Sequence, residues 1–314
     1  MSDTSKPSML LIVPAYNEEE NISLFVQEAN RYLKDFRWDI IFVNDGSQDG
    51  TWARICELAE ADSRIHGLTF SRNFGHQNAL KAGLEEARSL MANVYITLDA
   101  DLQHPISLIP SMVEHWKNGV HIVQAQRNDA NRSISWFKKL SSEAFYKVFT
   151  WLSGIPMQPG MSDFRLIDRF TLEFILECRD KDFFLRGMLP WSGLNTTLLP
   201  YTPAERLHGS SKFTIKKMCS LAMSGIIGYS TKPLYIAIFI GLLAISLAFI
   251  YMIYVMTVTC LGLHVSLGWP SIIACILGLG GLQLLIMGIL GVYLGKMFTE
   301  QRSRPTYVVG ARTR

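Results

Sequence analysis

A doubly wound, mostly parallel α/β sheet followed by a pair of apolar helices is the architecture this sequence predicts, on three observations. Strand-like apolar runs alternate with segments of helical spacing through the first half of the chain. Every strand in that half ends in a short polar motif. Between Lys232 and Lys296 there is no Asp, Glu, Lys or Arg at all.

The elements follow in order. Met9 to Pro14 is an apolar run, Glu18 to Leu33 has helical spacing, and Asp39 to Val43 is apolar again. A helix is expected over Thr51 to Ala61, a strand over Ile65 to Ser71, a helix over Gln77 to Met91, and strands over Val94 to Leu98 and Ile122 to Ala125. From Ser133 to Leu152 aromatic and basic residues mix, as in a helix lying in a membrane interface or an ordinary surface helix packing its aromatics inward; Thr214 to Ile227 is a second candidate of that kind. Pro233 to Met256 and Pro270 to Gly291 are each long enough to cross a bilayer, and the short polar-poor link between them makes the pair a hairpin. Basic residues on both outer flanks, Lys212, Lys216, Lys217 and Lys232 before and Lys296, Arg302, Arg304, Arg312 and Arg314 after, place both ends and the polar N-terminal part on the cytoplasmic side. The expected division is a cytoplasmic domain over 1–212, a juxtamembrane helix over 213–231, two spans over 232–296 and a cytoplasmic tail over 297–314.

Composition narrows the function. Apolar residues make up 49% of the chain and charged residues 18%, high and low for a protein that is soluble throughout. The net charge of +3 is small and its basic residues gather beside the apolar spans, which suits anionic lipid headgroups better than nucleic acid. Five cysteines without paired spacing indicate neither a disulfide framework nor a zinc site. The polar stretch Met1 to Ser8 lacks the apolar core of a secretory leader. Neither G-x-G-x-x-G nor G-x-x-x-x-G-K-[ST] occurs, so a dinucleotide fold or a P-loop has no local support.

In a parallel sheet the carboxyl ends of the strands line the ligand crevice. Four motifs fall there: Pro14-Ala15-Tyr16-Asn17-Glu18, Asn44-Asp45-Gly46-Ser47, Arg72-Asn73-Phe74-Gly75 and Asp99-Ala100-Asp101-Leu102-Gln103. Two carboxylates spaced i, i+2 at a strand end suit a divalent cation beside a diphosphate, where the ion neutralises charge developing on a leaving phosphate. Taken alone, Asp99 and Asp101 read equally well as a solvated turn.

Together these motifs resemble those of family 2 glycosyltransferases of the GT-A fold. Ser162-Asp163-Phe164-Arg165-Leu166 and the two C-terminal spans narrow the resemblance to the polyprenyl-phosphate glycosyltransferases, which include dolichyl-phosphate mannose synthases and bactoprenol glucosyltransferases; it runs from Leu10 to about Val309. The resemblance implies a Rossmann-like GT-A domain carrying interfacial helices and a transmembrane hairpin in a bacterial inner membrane. It implies an inverting transfer of sugar from a nucleotide diphosphate to a polyprenyl phosphate.

The same resemblance assigns Pro14, Ala15, Glu18, Asp45 and Asp99 to the nucleotide, and Asp101 with Gln103 to Mg2+ or Mn2+. Arg127, Lys138, Ser142, Arg165, Arg206 and Lys212 go to the acceptor or to phosphates, and Asp163 is the base or the group that orients the acceptor. A structural Asp163–Arg165 ion pair is the plainer alternative. The string Phe183-Phe184-Leu185-Arg186-Gly187-Met188-Leu189-Pro190-Trp191 is similar to that of bactoprenol glucosyltransferases and favours UDP-glucose, with GDP-mannose, UDP-N-acetylglucosamine and UDP-aminoarabinose as alternatives. A non-catalytic membrane protein retaining the nucleotide fold is the reading from another class. A processive polysaccharide synthase is disfavoured by the missing Q-x-x-R-W motif and by only two spans. Where relatives often carry Gly-Glu-Tyr, this chain has Gly291-Val292-Tyr293. A homotetramer, as in some relatives, is compatible with small-residue runs such as Gly278-Leu279-Gly280-Gly281.

Overall fold

The computed structural model describes residues 6–128, 147–156, 160–178, 180–181, 183–202, 225–261, 268–302 and 304–313. The chain forms two compact units, one made of residues 1–150, 155–218 and 304–314, the other of residues 151–154 and 219–303.

The first unit is built on an eight-stranded sheet. Its strands are β1 (Ser8–Ala15), β2 (Arg37–Asn44), β3 (Ile65–Phe70), β4 (Val94–Thr97), β5 (Ile122–Arg127), β6 (Met161–Asp168), β7 (Thr196–Tyr201) and β8 (Val309–Arg312). Their spatial order is β7-β5-β6-β4-β1-β2-β3-β8. All pairings are parallel except those of β6 with β4 and β5 and of β8 with β3. From β1 the chain moves outward through β2 to β3 and then returns to place β4 on the other side of β1. The strand order therefore reverses between β1 and β4, and a ligand crevice opens at the carboxyl ends beside such a reversal.

Helices cover both faces: α1 (Glu19–Tyr32), α2 (Thr51–Ala61), α3 (His76–Ala87), α4 (Ile109–Lys117), α5 (Arg169–Glu177) and α6 (Leu185–Ser192). Strand alternation sorts the core into two layers. Met9, Leu11 and Val13 of β1 pack with Ile22, Phe25 and Val26 of α1, while Leu10 and Ile12 face the other way onto Ala79, Leu80 and Leu84 of α3. Full burial of a side chain such as Phe25 contributes roughly 1.5–3 kcal/mol, so both layers stabilise the sheet. Gly83 lets α3 lie close on β1, because a Cβ there would stand 2.4 Å from Ile12 Cγ2.

β6 carries this alternation to the pocket. Phe164 and Leu166 belong to the α1 layer and Ile167 to the α3 layer, so Arg165 and Asp163, two and four residues before Ile167, face the side covered by α3 and α6. α3 ends at Ala87 rather than Met91, and Met91 is 75% exposed, without a core contact to extend the helix. β8 lies in the segment the sequence suggested as a tail. It seals the open edge of β3, with Tyr307 stacked on Phe70 at 4.9 Å and the Thr313 N–H donating to the Gly67 carbonyl at 2.8 Å.

The second unit holds α7 (Lys232–Cys260) and α8 (Trp269–Gln301). They run antiparallel, since the Tyr293 hydroxyl near the end of α8 donates to the Ser230 carbonyl, just before α7, at 2.7 Å. Windows at Lys232–Val258 and Gly278–Gln301 have mean hydropathies of 2.7 and 1.7, and both helices are long and apolar enough to cross a membrane. Only 6% and 0% of those windows is buried within the protein, so their apolar surface faces outward. Lys232 at the start of α7 donates to the Trp151 carbonyl and sits over its ring. Of the two stretches suggested as interfacial helices, only 147–152 and 225–227 fall among the described residues, and both are helical.

Candidate active site

The parallel strands bring four loop motifs to one edge. The β1–α1 and β2–α2 turns are laced together: the Asn17 N–H donates to Ser47 Oγ at 2.9 Å, the Gln48 N–H to Asn17 Oδ1 at 3.0 Å, and the Glu18 N–H to Thr51 Oγ1 at 2.9 Å. Asn17 holds φ 55 to make that turn, a conformation Asn tolerates better than most residues. Pro14 and Ala15 are buried at the end of β1, and Glu18 Oε2 accepts from Asn21 Nδ2 at 2.6 Å.

Asp45 ties in the third loop. Its carboxylate accepts the Phe74 N–H at 2.7 Å and the Gly75 N–H at 3.0 Å, and the side chain is 3% exposed. Burial raises its pKa and these two backbone bonds oppose the rise. Gly46 has φ +66, and a Cβ there would lie 2.3 Å from the Arg72 carbonyl carbon, so the β2–α2 and β3–α3 loops touch where only glycine fits.

The turn after β4 is the acidic one. Leu102 takes φ 57, strained for a leucine, and brings residues 101 and 103 together: Asp101 Oδ1 accepts the Gln103 N–H at 3.2 Å. Asp99 is partly exposed, and its N–H donates to His104 Nδ1 at 3.1 Å. His104 is buried and stacks on Phe164, with Tyr201 at its edge. Among the described residues no three His, Cys, Asp or Glu side chains converge as a metal cage. The Asp101–Gln103 turn carries carboxylate and amide oxygens, the donor type that Mg2+ and Mn2+ take beside substrate phosphates and water.

Asp163 lies at the amino end of antiparallel β6, so it meets the same edge; its own carbonyl accepts from Thr97 Oγ1 of β4 at 2.6 Å. Its carboxylate is 3% exposed and takes bonds from three sides. Arg186 of α6 donates through Nε at 3.0 Å and Nη2 at 2.8 Å, Arg165 Nη2 donates at 2.9 Å, and His76 Nε2 of α3 stands at 3.1 Å. The same imidazole nitrogen lies 3.6 Å from Asp99 Oδ1, so it links the two acidic motifs.

The electrostatics follow. Burial would raise the Asp163 pKa, but the fields of Arg186, His76 and Arg165 hold it well below the usual carboxylate range. Partial desolvation works against charge on His76, yet the Asp163 bond and the fields of Asp99 and Asp163 push its pKa up to about 8. Water screens part of this attraction, because 41% of the His76 side chain is exposed. Asp45, Asp99 and Asp163 face that imidazole with Arg186 opposing them.

A folded pKa near 8, above the ordinary 6.5, makes the contribution of His76 to stability full below pH 6.5 and lost as pH rises through about 8. The melting temperature is expected to fall across that window, and His76→Gln is expected to flatten the fall. An equal slope in the variant would remove His76 from the balance.

The remaining expectations are placed as follows. Arg127 closes β5 at the same edge, its N–H bonded to the Gly160 carbonyl, near enough for its charge to act on Tyr201. Arg165 is 1% exposed, with its guanidinium under Asp163 rather than at the pocket surface. Lys138, Ser142, Arg206 and Lys212 lie outside the described residues. His76, His104 and Arg186 carry no sequence signal of their role: two are single histidines in polar turns, and Arg186 stands alone in an aromatic string.

An acidic turn, a buried carboxylate and several cations thus meet at the carboxyl edge of the sheet beside its switch point, where α/β folds of this kind place their ligand crevice. The family model for glycosyl transferase family 2 matches residues 10–175. A prophage bactoprenol glucosyl transferase homolog of Escherichia coli (strain K12) is 38% identical over 301 residues, 95% of this chain and 97% of that protein. A bactoprenol glucosyl transferase of Shigella phage SfV is also 38% identical, over 95% and 97%. An uncharacterized glycosyltransferase of Bacillus subtilis (strain 168) is 36% identical over 95% and 92%. Among solved structures, a mannosyltransferase from Pyrobaculum calidifontis in complex with GDP-Man and Mn2+ aligns with 71% of this chain and 63% of its own at 19% identity and a TM-score of 0.47. The chain belongs to glycosyltransferase family 2 and is a glycosyltransferase.

Proposed function

We propose that this enzyme transfers a hexose, with UDP-glucose the favoured donor, to the phosphate of a membrane-embedded polyprenyl lipid, with inversion at the anomeric carbon. The observation that carries the reading is that likeness to bactoprenol glucosyl transferases extends over 95% of the chain, the two apolar helices included. Those helices expose side chains suited to a bilayer, and the flanking basic residues support a sheet domain on the cytoplasmic side.

Pro14, Ala15, Glu18, Asp45 and Asp99 line the nucleotide half. Asp101 and Gln103 would hold Mg2+ or Mn2+, which when bound supplies charge neutralisation for the departing diphosphate. The lipid phosphate oxygen forms a bond to the anomeric carbon as the bond from that carbon to the nucleotide diphosphate breaks. The acceptor phosphate is largely ionised at neutral pH, so no proton need be removed. Asp163 suits that economy: a carboxylate braced by two guanidinium groups and an imidazole has little basicity and serves to orient its neighbours. Arg127 offers a cation at the same edge, and Arg206 and Lys212 carry the acceptor assignment that the family motifs imply.

The test uses purified full-length protein in detergent, undecaprenyl phosphate and radiolabelled nucleotide sugars, counting label in the organic phase. Label from UDP-glucose is expected, is expected to disappear with EDTA, and is expected to return with Mg2+ or Mn2+. Transfer from GDP-mannose, UDP-N-acetylglucosamine or UDP-aminoarabinose instead would replace the donor. No lipid label from any of them would overturn the acceptor assignment.

A further inference from the structure

The chain leaves the sheet abruptly after β4. The Leu98 N–H still donates to the Ile12 carbonyl of β1 at 3.2 Å, whereas the next amide, that of Asp99, donates to a side chain, His104 Nδ1, at 3.1 Å. A backbone N–H can only donate, so Nδ1 offers its lone pair and the ring proton sits on Nε2. The bond closes a loop over residues 99–104 with Asp101 inside it. Within that loop the Gln103 N–H donates to Asp101 Oδ1 at 3.2 Å, and Leu102 takes φ 57. A conformation so unfavourable for leucine persists only where the surroundings over-determine it, and His104 is the anchor two residues beyond. Its ring is itself held fast: it is 6% exposed, stacks on Phe164 with centroids 5.3 Å apart, and meets the edge of Tyr201 at 6.0 Å. Phe164 directly follows Asp163, whose carbonyl accepts from Thr97 Oγ1 at the end of β4. One imidazole thus joins the acidic turn to β6 and β7.

We propose that His104 is a positioning residue of the donor site: by accepting the Asp99 N–H it sets the turn on which Asp99 meets the nucleotide and Asp101 and Gln103 meet the divalent cation. The assignment rests on the metal-assisted transfer proposed above. His104 is not a ligand in this arrangement, because one ring nitrogen is engaged by the Asp99 amide and the other carries the proton. It acts through the backbone. Oxygen donors on a loose turn would have to be ordered as the cation binds, and that ordering entropy is subtracted from the affinity. A ring wedged against Phe164 and Tyr201 removes most of that cost beforehand.

The experiment compares the full-length wild type in detergent with His104→Phe, which keeps the stack on Phe164 and loses the acceptor, and with His104→Asn, whose amide oxygen keeps an acceptor near the place of Nδ1 and loses the stack. Mn2+ affinity in the presence of UDP is read by electron paramagnetic resonance, exchange of the amides of residues 98–104 by deuterium uptake, and stability by thermal melting. His104→Phe is expected to bind Mn2+ about tenfold more weakly and to exchange those amides faster, with a melting temperature lower by no more than about 4 °C. The opposite is expected of His104→Asn, which holds Mn2+ affinity within about threefold of the wild type while melting below His104→Phe. The Mn2+ concentration that gives half-maximal transfer is expected to rise with the Mn2+ Kd. Unchanged Mn2+ affinity in His104→Phe overturns the inference, whatever its melting temperature, and leaves His104 a core ring. Equal weakening in both variants overturns it too, because the packing rather than the acceptor would then set the turn. A wild type that binds no Mn2+ is instead a failure of the metal assignment, and deuterium uptake over 98–104 then decides by itself whether His104 holds the turn.

Discussion

Asp163→Asn is expected to lower the melting temperature of the sheet domain by about 6–12 °C, the shift that about 3 kcal/mol produces in a domain of this size. The amide fits the space but leaves three cations facing one another without the anion that holds them, among them the buried guanidinium of Arg165 and the half-buried one of Arg186. Its NH2 would also point at groups that can only donate. Removal of one partner from a buried ionic cluster exposes the full desolvation cost of the rest, which is why the effect exceeds that of a surface pair. Thermal unfolding followed by circular dichroism in detergent reads this directly. A melting curve superimposable on the wild type would mean that the carboxylate does not hold the cations together.

Asp101→Asn is expected to do the reverse, reducing transfer at least about 100-fold while leaving the fold intact. Asp101 is half-buried, and one of its structural contacts is the Gln103 N–H it accepts, which an asparagine oxygen also accepts. What asparagine lacks is the negative charge that a divalent cation requires of its ligands. Initial rates at saturating Mg2+ and a melting curve measured side by side separate the two contributions. Wild-type turnover would remove Asp101 from the metal site, and a large loss of stability would show that the turn depends on the charge itself.

The contrast between these residues bears on what a sequence discloses. β1 to β5 are legible as apolar runs because both of their faces are covered, and their bounds agree with the sequence reading to within two residues or so. β7 and β8 are not: β7 is only half-buried and β8 is largely exposed, so neither carries an apolar period. β6 is visible as a motif rather than as a strand, since Asp163 and Arg165 interrupt its apolar residues. The acidic turn at Asp99 and Asp101 is legible because its members are adjacent in the chain. The cation cluster is not, because His76, Asp163 and Arg186 come from three elements whose meeting depends on which face of β6 each residue takes, and that is fixed only by the antiparallel register of Thr97 with Arg165.

β8 gives the molecule an unusual dependence. The chain departs from the sheet domain after residue 218, makes the two long apolar helices, and rejoins the same domain at residue 304 to finish as its edge strand. The helical pair is thus an insertion within a domain, anchored in sequence at both ends. An uncovered β3 would present a row of free backbone donors and acceptors to any passing strand. A chain cut just before Arg304 would keep its pocket residues and lose its seal, so an intact reaction centre could be brought down by self-association at the far border of the sheet.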